Sequence, residues 1–221
     1  DLGDEAFPFG ASRSIPLGYA TVRATRITYV GELGWELYVP AEFAVGVYED
    51  LMAAGAEFGV VRGGYYAIES LRLEKGYRAF GRELTPNDNP VEAGLLFTCK
   101  LDTDIEFLGR QAVEAARAVG VDRRLVGLVV DSPAPMLWGG ELILRDGIAC
   151  GQVTSAAWGE TTGSCVGLAY LRGPAPVTAD WIRAGTYEVN VGGQQYPITV
   201  SLRPIYDPSS ARVRSGPVTR G

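Results

Sequence analysis

The chain has 221 residues, 47% of them apolar and 21% charged, with a net charge of −6 and no histidine. That length can bury the core of one large or two small domains. The acidity, with no local basic patch, excludes a nucleic-acid surface. No run approaches the ~18 apolar residues of a membrane span, and the missing histidine excludes Ser-His-Asp and Cys-His catalysis, His-ligated metals and haem.

Chemistry is left to carboxylates, Tyr, Lys, Cys or a bound cofactor. Cys99, Cys150 and Cys165 are odd in number, far apart and without metal-ligand spacing. That points to a reducing compartment rather than a disulfide framework. Buried free thiols and a Cys150–Cys165 contact across a hairpin are both open. No secretory leader pattern opens the chain. The first residue is Asp, so the sequence is expected to be processed or part of something longer.

Residues 15–29, "IPLGYATVRATRITY", alternate. Val22, Ala24, Arg26 and Thr28 fall on one face, and Thr21, Arg23, Thr25, Ile27 and Tyr29 on the other, which predicts a strand. A turn at Gly31–Gly34 and a returning strand "WELYV", ended by Pro40, would complete a hairpin. On the returning strand Trp35, Leu37 and Val39 oppose Glu36 and Tyr38, and Trp35 is assigned to the core. The period then changes. Phe43, Val47, Leu51 and Ala54 predict one buried face of a helix that ends near Gly55.

A second helix is expected from Tyr65 to Lys75, with Ile68, Leu71 and Lys75 on one side and Gly76 as its stop. "GRELTPNDNPVEAG" reads as a loop, and "FLGRQAVEAARAV" as a short helix. From about residue 120 nearly everything is short strand, with hairpin turns at Asp146-Gly147 and Gly192-Gly193. That spacing predicts a small barrel or sandwich. The fold class is therefore α+β, with one domain at 1–118 and a second, β-rich one at 119–221. The tail after Pro208 is expected to be loose.

The segment "YVGELGWELYVP" carries the most suggestive chemistry. Glu36 and Tyr38 project from one face of their strand. A carboxylate, which only accepts hydrogen bonds, matches a planar ligand with two adjacent N–H donors. A phenol ring can stack on such a heterocycle. From chemistry alone, this signal is weak, because most exposed strand glutamates are simply solvated.

"RITYVGELGWELYVP", followed in order by "ESLRLEKGYRAFGRELTPNDNPVEAGL", "FLGRQAV", "RLVGLVV", "GQVTSAAW" and "VGLAYL", resembles the glycine-cleavage T-protein (aminomethyltransferase) family over most of the chain. The wording "GELGWELY" and "LRLEKGYR" is most similar to the folate-binding C-terminal region of dimethylglycine and sarcosine dehydrogenases. The resemblance implies a partial folate-binding domain of sheet and helices, then a C-terminal β-barrel. It implies tetrahydrofolate as cofactor, with Glu36 on the pterin's donor edge, Tyr29 lining the pocket, and Leu37 and Tyr38 in the contacting segment. The implied reaction moves a one-carbon unit from a small amine donor to the folate.

Two departures qualify that implication. The family's catalytic aspartate belongs to an N-terminal half that this sequence does not contain, so no catalytic residue is assigned and the chain alone is expected to be inactive. Ile68 stands where the T-protein has an arginine before its acid, which favours the dehydrogenase-like branch. A flavin domain or the missing half is the implied partner. The expected location is cytoplasmic, or the mitochondrial matrix in a eukaryote. The alternative is a non-catalytic, truncated member acting as a regulatory or partner-binding subunit. Among the remaining motif residues, Arg72 and Glu74 are expected to pair or cap. Glu92 is expected to brace its loop, Trp138 to pack, and the glycines at 139, 140, 147, 151 and 163 to punctuate hairpins.

Overall fold

Alternation at residues 20–26 dictates the first sheet. Val22 and Ala24 are fully buried and Arg26 nearly so, as the period of two requires. In the computed structural model, which describes residues 1–133 and 135–214, this run is β2 (Ala20–Thr25), between β1 (Ser12–Leu17) and β3 (Glu36–Tyr38). The sheet order is β1-β2-β3, antiparallel throughout.

Two expectations about this region are corrected. Residues 15–29 are not one strand, because Gly18 takes a left-handed φ of 57° and turns the chain back at Gly18–Tyr19. The link to β3 is not a tight hairpin either, but a loop over residues 26–35. Arg26 explains it. Its side chain is 2% exposed, donates to the Phe7 carbonyl at 2.7 Å, pairs with Asp4 and lies 5.7 Å from the Trp35 ring centroid. Anchoring that guanidinium draws the chain out of the ladder after Thr25. Trp35 meets Phe7 edge-on at 6.4 Å.

The helix α1 (Ala44–Gly55) forms where the period changes. Of its expected apolar face only Val47 is buried, beside Ala20 and Val22, while Phe43 and Leu51 stay 38% and 43% exposed. The next helix, α2 (Tyr65–Glu74), inverts its expected pattern. Ile68 is outside, and Arg72, Leu73 and Glu74 are inside, followed by Lys75. Charged residues can occupy such positions only when paired, as described below.

The β-rich half is a closed barrel, which settles the choice between barrel and sandwich. Its strands are β4 (Arg123–Val130), β5 (Leu142–Arg145), β6 (Ile148–Gly159), β7 (Ser164–Arg172), β8 (Tyr187–Val191) and β9 (Gln194–Ser201). They close in the order β4-β7-β6-β5-β8-β9. Inward residues such as Leu128, Ile143, Leu171 and Val189 are fully buried and form its core. The expected turns are in place: Asp146 and Gly147 both take positive φ, as do Gly192 and Gly193. Gly151 is not a turn residue but lies within β6, where a Cβ would strike the Tyr170 carbonyl.

Two further helices, α3 (Arg110–Val119) and α4 (Ala179–Ala184), fall in the same contact unit as the barrel. The fold class is α+β. Contacts gather the chain into two units: residues 1–68 with the described residues after Pro208, and residues 69–208. The tail expected to be loose contains a turn of helix, α5 (Ala211–Arg214), with Val213 buried; residues 215–221 lie outside the described residues. All three cysteines are free.

Candidate functional site

Three pairs define β3: Arg23 opposite Tyr38, Ala24 opposite Leu37, and Thr25 opposite Glu36. Strand alternation therefore puts Glu36, Tyr38, Arg23 and Thr25 on one side of the sheet and Ala24 and Leu37 on the other. Leu37 packs against the Ala20, Val22 and Val47 cluster. Glu36 and Tyr38 face outward, and the Tyr38 hydroxyl donates to Glu36 Oε2 at 3.3 Å. Ser12, opposite Thr25 in β1, has its Oγ 2.9 Å from Thr25 Oγ1. Ser12, Arg23, Thr25 and Tyr38 line an open depression of about 490 Å³.

Of the four residues singled out in the sequence, the structure thus brings Glu36 and Tyr38 together and turns Leu37 to the opposite face. Tyr29 lies outside the ladder, in the 26–35 loop, at 38% exposure. The sequence reading gave Arg23 no role. Its signal was its place on the outward set of β2, but only the register shows it directly across from Tyr38. The face offers a carboxylate that accepts, a phenol that donates and a guanidinium with five donors. Such a set suits a planar ligand with distinct donor and acceptor edges. Among the described residues no cluster of three or more His, Cys, Asp or Glu is placed to hold a metal.

The other charged motif residues belong to the barrel unit and are structural. Arg72, with no exposed surface, donates to Glu83 Oε2 at 2.8 Å and to the Tyr77 carbonyl at 3.0 Å, and pairs with Glu69. Glu83, also fully buried, accepts from the Ala79 amide and from the Thr154 and Ser155 hydroxyls. Glu74 Oε1 accepts the amides of Thr161 and Thr162, each at 2.9 Å, and holds the turn between β6 and β7. Lys75 Nζ reaches Asp207 at 2.9 Å. The expectation of pairing and capping for Arg72 and Glu74 holds. Glu83, which the sequence reading passed over, and Lys75, to which it gave a place on the helix but no partner, complete the network.

Glu92 braces its loop through Arg123, which also binds Asp88 and lies 4.7 Å from the Tyr170 ring centroid. Burial first, and Asp88 second, push the Tyr170 hydroxyl up to about 12. Its role is structural, since it donates to the Glu83 carbonyl at 3.0 Å. Trp138 does not pack: it is 82% exposed, on a turn held by Glu141, which accepts its backbone amide. Among the described residues no helix is long and apolar enough to cross a membrane.

Residues 1–103 match the family model described as the GCVT N-terminal domain, and residues 123–207 match the glycine cleavage T-protein C-terminal barrel domain. Mitochondrial sarcosine dehydrogenase of Mus musculus is 45% identical over 216 residues, which is 97% of this chain and 23% of that protein. Mitochondrial dimethylglycine dehydrogenase of Mus musculus is 37% identical over 214 residues, 97% of this chain and 24% of that protein. The chain spans about a quarter of the length of these relatives. The crystal structure of glycine cleavage system aminomethyltransferase T from Bartonella henselae superposes with a TM-score of 0.72 at 25% identity, over 83% of this chain and 49% of that one.

Proposed function

The chain belongs to the glycine cleavage T-protein family, and from that premise we propose that it is the tetrahydrofolate-holding part of a one-carbon transfer module. The donor is a small amine of the sarcosine or dimethylglycine type. The observation that carries the reading is Glu36 beside Tyr38 on the open face of β3, within the segment that matches the family.

The residues fit the group. A pterin presents a 2-amino group next to a ring N–H, and Glu36 is an exposed acceptor that forms no ion pair among the described residues. The Tyr38 ring beside it gives a flat apolar surface for a heterocycle. Folate, when bound, supplies the nitrogens that receive the one-carbon unit. What this chain supplies is orientation: Glu36 fixes the donor edge, Tyr38 holds the carboxylate through its hydroxyl and covers the ring, and Arg23 adds a cation on the same face. Tyr29 is proposed as a further pocket residue, and Leu37 acts by setting the strand against the core. In a eukaryote the proposed location is the mitochondrial matrix.

The test is calorimetric titration of the protein with tetrahydrofolate. Glu36→Gln should weaken binding by about 1.5–3 kcal/mol, the worth of a hydrogen bond to a charged group. Tyr38→Phe, which keeps the ring, should cost less. Unchanged affinity in Glu36→Gln would remove the pterin-edge role.

A further inference from the structure

The barrel unit carries a second groove, unrelated to the β3 face. It has a volume of about 450 Å³, within the range of small-molecule sites. One wall is the last turn of α3 and the start of β4, which contribute Arg117 and Arg124. The Pro176–Val177 segment, Leu96 and Phe97 line it as well.

The frame is rigid. The Val177 amide donates to the Val121 carbonyl at 2.8 Å. Gly120 lies so close to Pro176 that a Cβ there would strike the proline side chain. Phe97 is 80% exposed.

The charges of the groove are unspent. Neither guanidinium has a hydrogen bond or ion pair among the described residues. The acids that flank the lining residues in sequence pair elsewhere: Asp122 with Arg172, Glu92 with Arg123, Asp180 with Arg183, and Glu114 with Arg110. In a protein of net charge −6, two arginines facing one groove with no acid between them form a local anion-attracting spot. Arg124 is half buried at the base of β4, where its charge is screened less than at an exposed site.

We propose that this groove binds a small organic anion, a carboxylate on an apolar body of about the size of benzoate. The carboxylate bridges Arg117 and Arg124, in the fork geometry that guanidinium groups favour. The apolar body lies over Leu96, Phe97 and Pro176.

Benzoate, benzyl alcohol and inorganic phosphate test this on the full protein by calorimetry. Benzoate should bind, and benzyl alcohol and phosphate should each bind at least about tenfold more weakly, because one lacks the charge and the other the apolar body. Arg124→Gln should weaken benzoate by about tenfold or more, with the thermal unfolding curve as a folding check. Arg117 is on the exposed face of α3, so Arg117→Gln tests the same point where Arg124→Gln fails to fold. Glu36→Gln should leave benzoate binding unchanged, which separates this site from the folate reading. Equal binding of benzoate and benzyl alcohol, phosphate binding as tight as benzoate, or an unaltered affinity in a folded arginine variant would each overturn the proposal.

Discussion

Replacing Glu83 with alanine should destabilise the barrel unit by about 4 kcal/mol. Glu83 and Arg72 both have zero exposed side-chain surface and pair at 2.8 Å. Breaking a buried pair by removing one partner costs about 3–5 kcal/mol, because the remaining charge stays in the interior. Two features move this case in opposite directions. Arg72 keeps Glu69 and the Tyr77 carbonyl, which lowers the loss, but Glu69 is 41% exposed and its attraction is weakened by solvent. The buried Ser155 hydroxyl loses its acceptor, which adds about 1–3 kcal/mol. Thr154 adds little, because its hydroxyl also reaches the Leu168 carbonyl.

The assay is urea unfolding followed by the fluorescence of Trp158 and Trp181, both of which are in the barrel unit. The paired variant Arg72→Met/Glu83→Leu provides the control. It removes both charges together, so it should be clearly more stable than the sum of the single substitutions. A single-variant loss below about 1 kcal/mol, the level of a solvated surface pair, would refute the reasoning. So would strict additivity of the two substitutions.

Other consequences can be measured separately. Burial pushes the Asp88 carboxyl up, but hydrogen bonds from Thr85 and Arg123 outweigh it and hold the group below its ordinary value. Its stabilisation is therefore complete above about pH 4, the unfolded value, and is lost as pH falls through the lower folded value. Asp88→Asn should lower stability at neutral pH and narrow its gap to wild type on acidification below about pH 4; a constant gap would contradict this. Gly167→Ala would bring a Cβ to 2.7 Å from the Ser155 carbonyl oxygen and should cost about 1–3 kcal/mol in the same urea assay. Burial pushes the Cys150 thiol up to about 11 and raises that of Cys165. Both should react slowly with iodoacetamide in the native state at pH 8, and labelling as fast as in the unfolded chain would show otherwise.

The barrel was readable because its signals are local. Asp146-Gly147 and Gly192-Gly193 take positive φ, and each marks a hairpin turn between two short strands. The burial of α2 was not readable in the same way. Arg72 can point inward only because Glu83, itself held by the Thr154 and Ser155 hydroxyls, meets it there, and no helical period reveals a network that reaches across to β6. The loop before β3 was misread as a tight turn because its cause, Arg26 held by Phe7 and Asp4, joins residues about twenty apart. At the candidate site the period of two sufficed for Glu36 and Tyr38, but Arg23 needed the strand register.

The two sheets differ in how they end. A closed ring has no terminal strand, so the barrel offers a neighbouring molecule no row of free amides and carbonyls to extend. The three-stranded sheet ends in β1 and β3, each with a side that no other strand covers among the described residues. Templated pairing with another polypeptide is therefore concentrated in residues 12–17 and 36–38. Pro16, which withholds an amide, Arg13 on the same strand, and the three-residue length of β3 all blunt that hazard. Work aimed at preventing edge-to-edge strand association at high concentration should begin at these positions and leave the barrel strands alone.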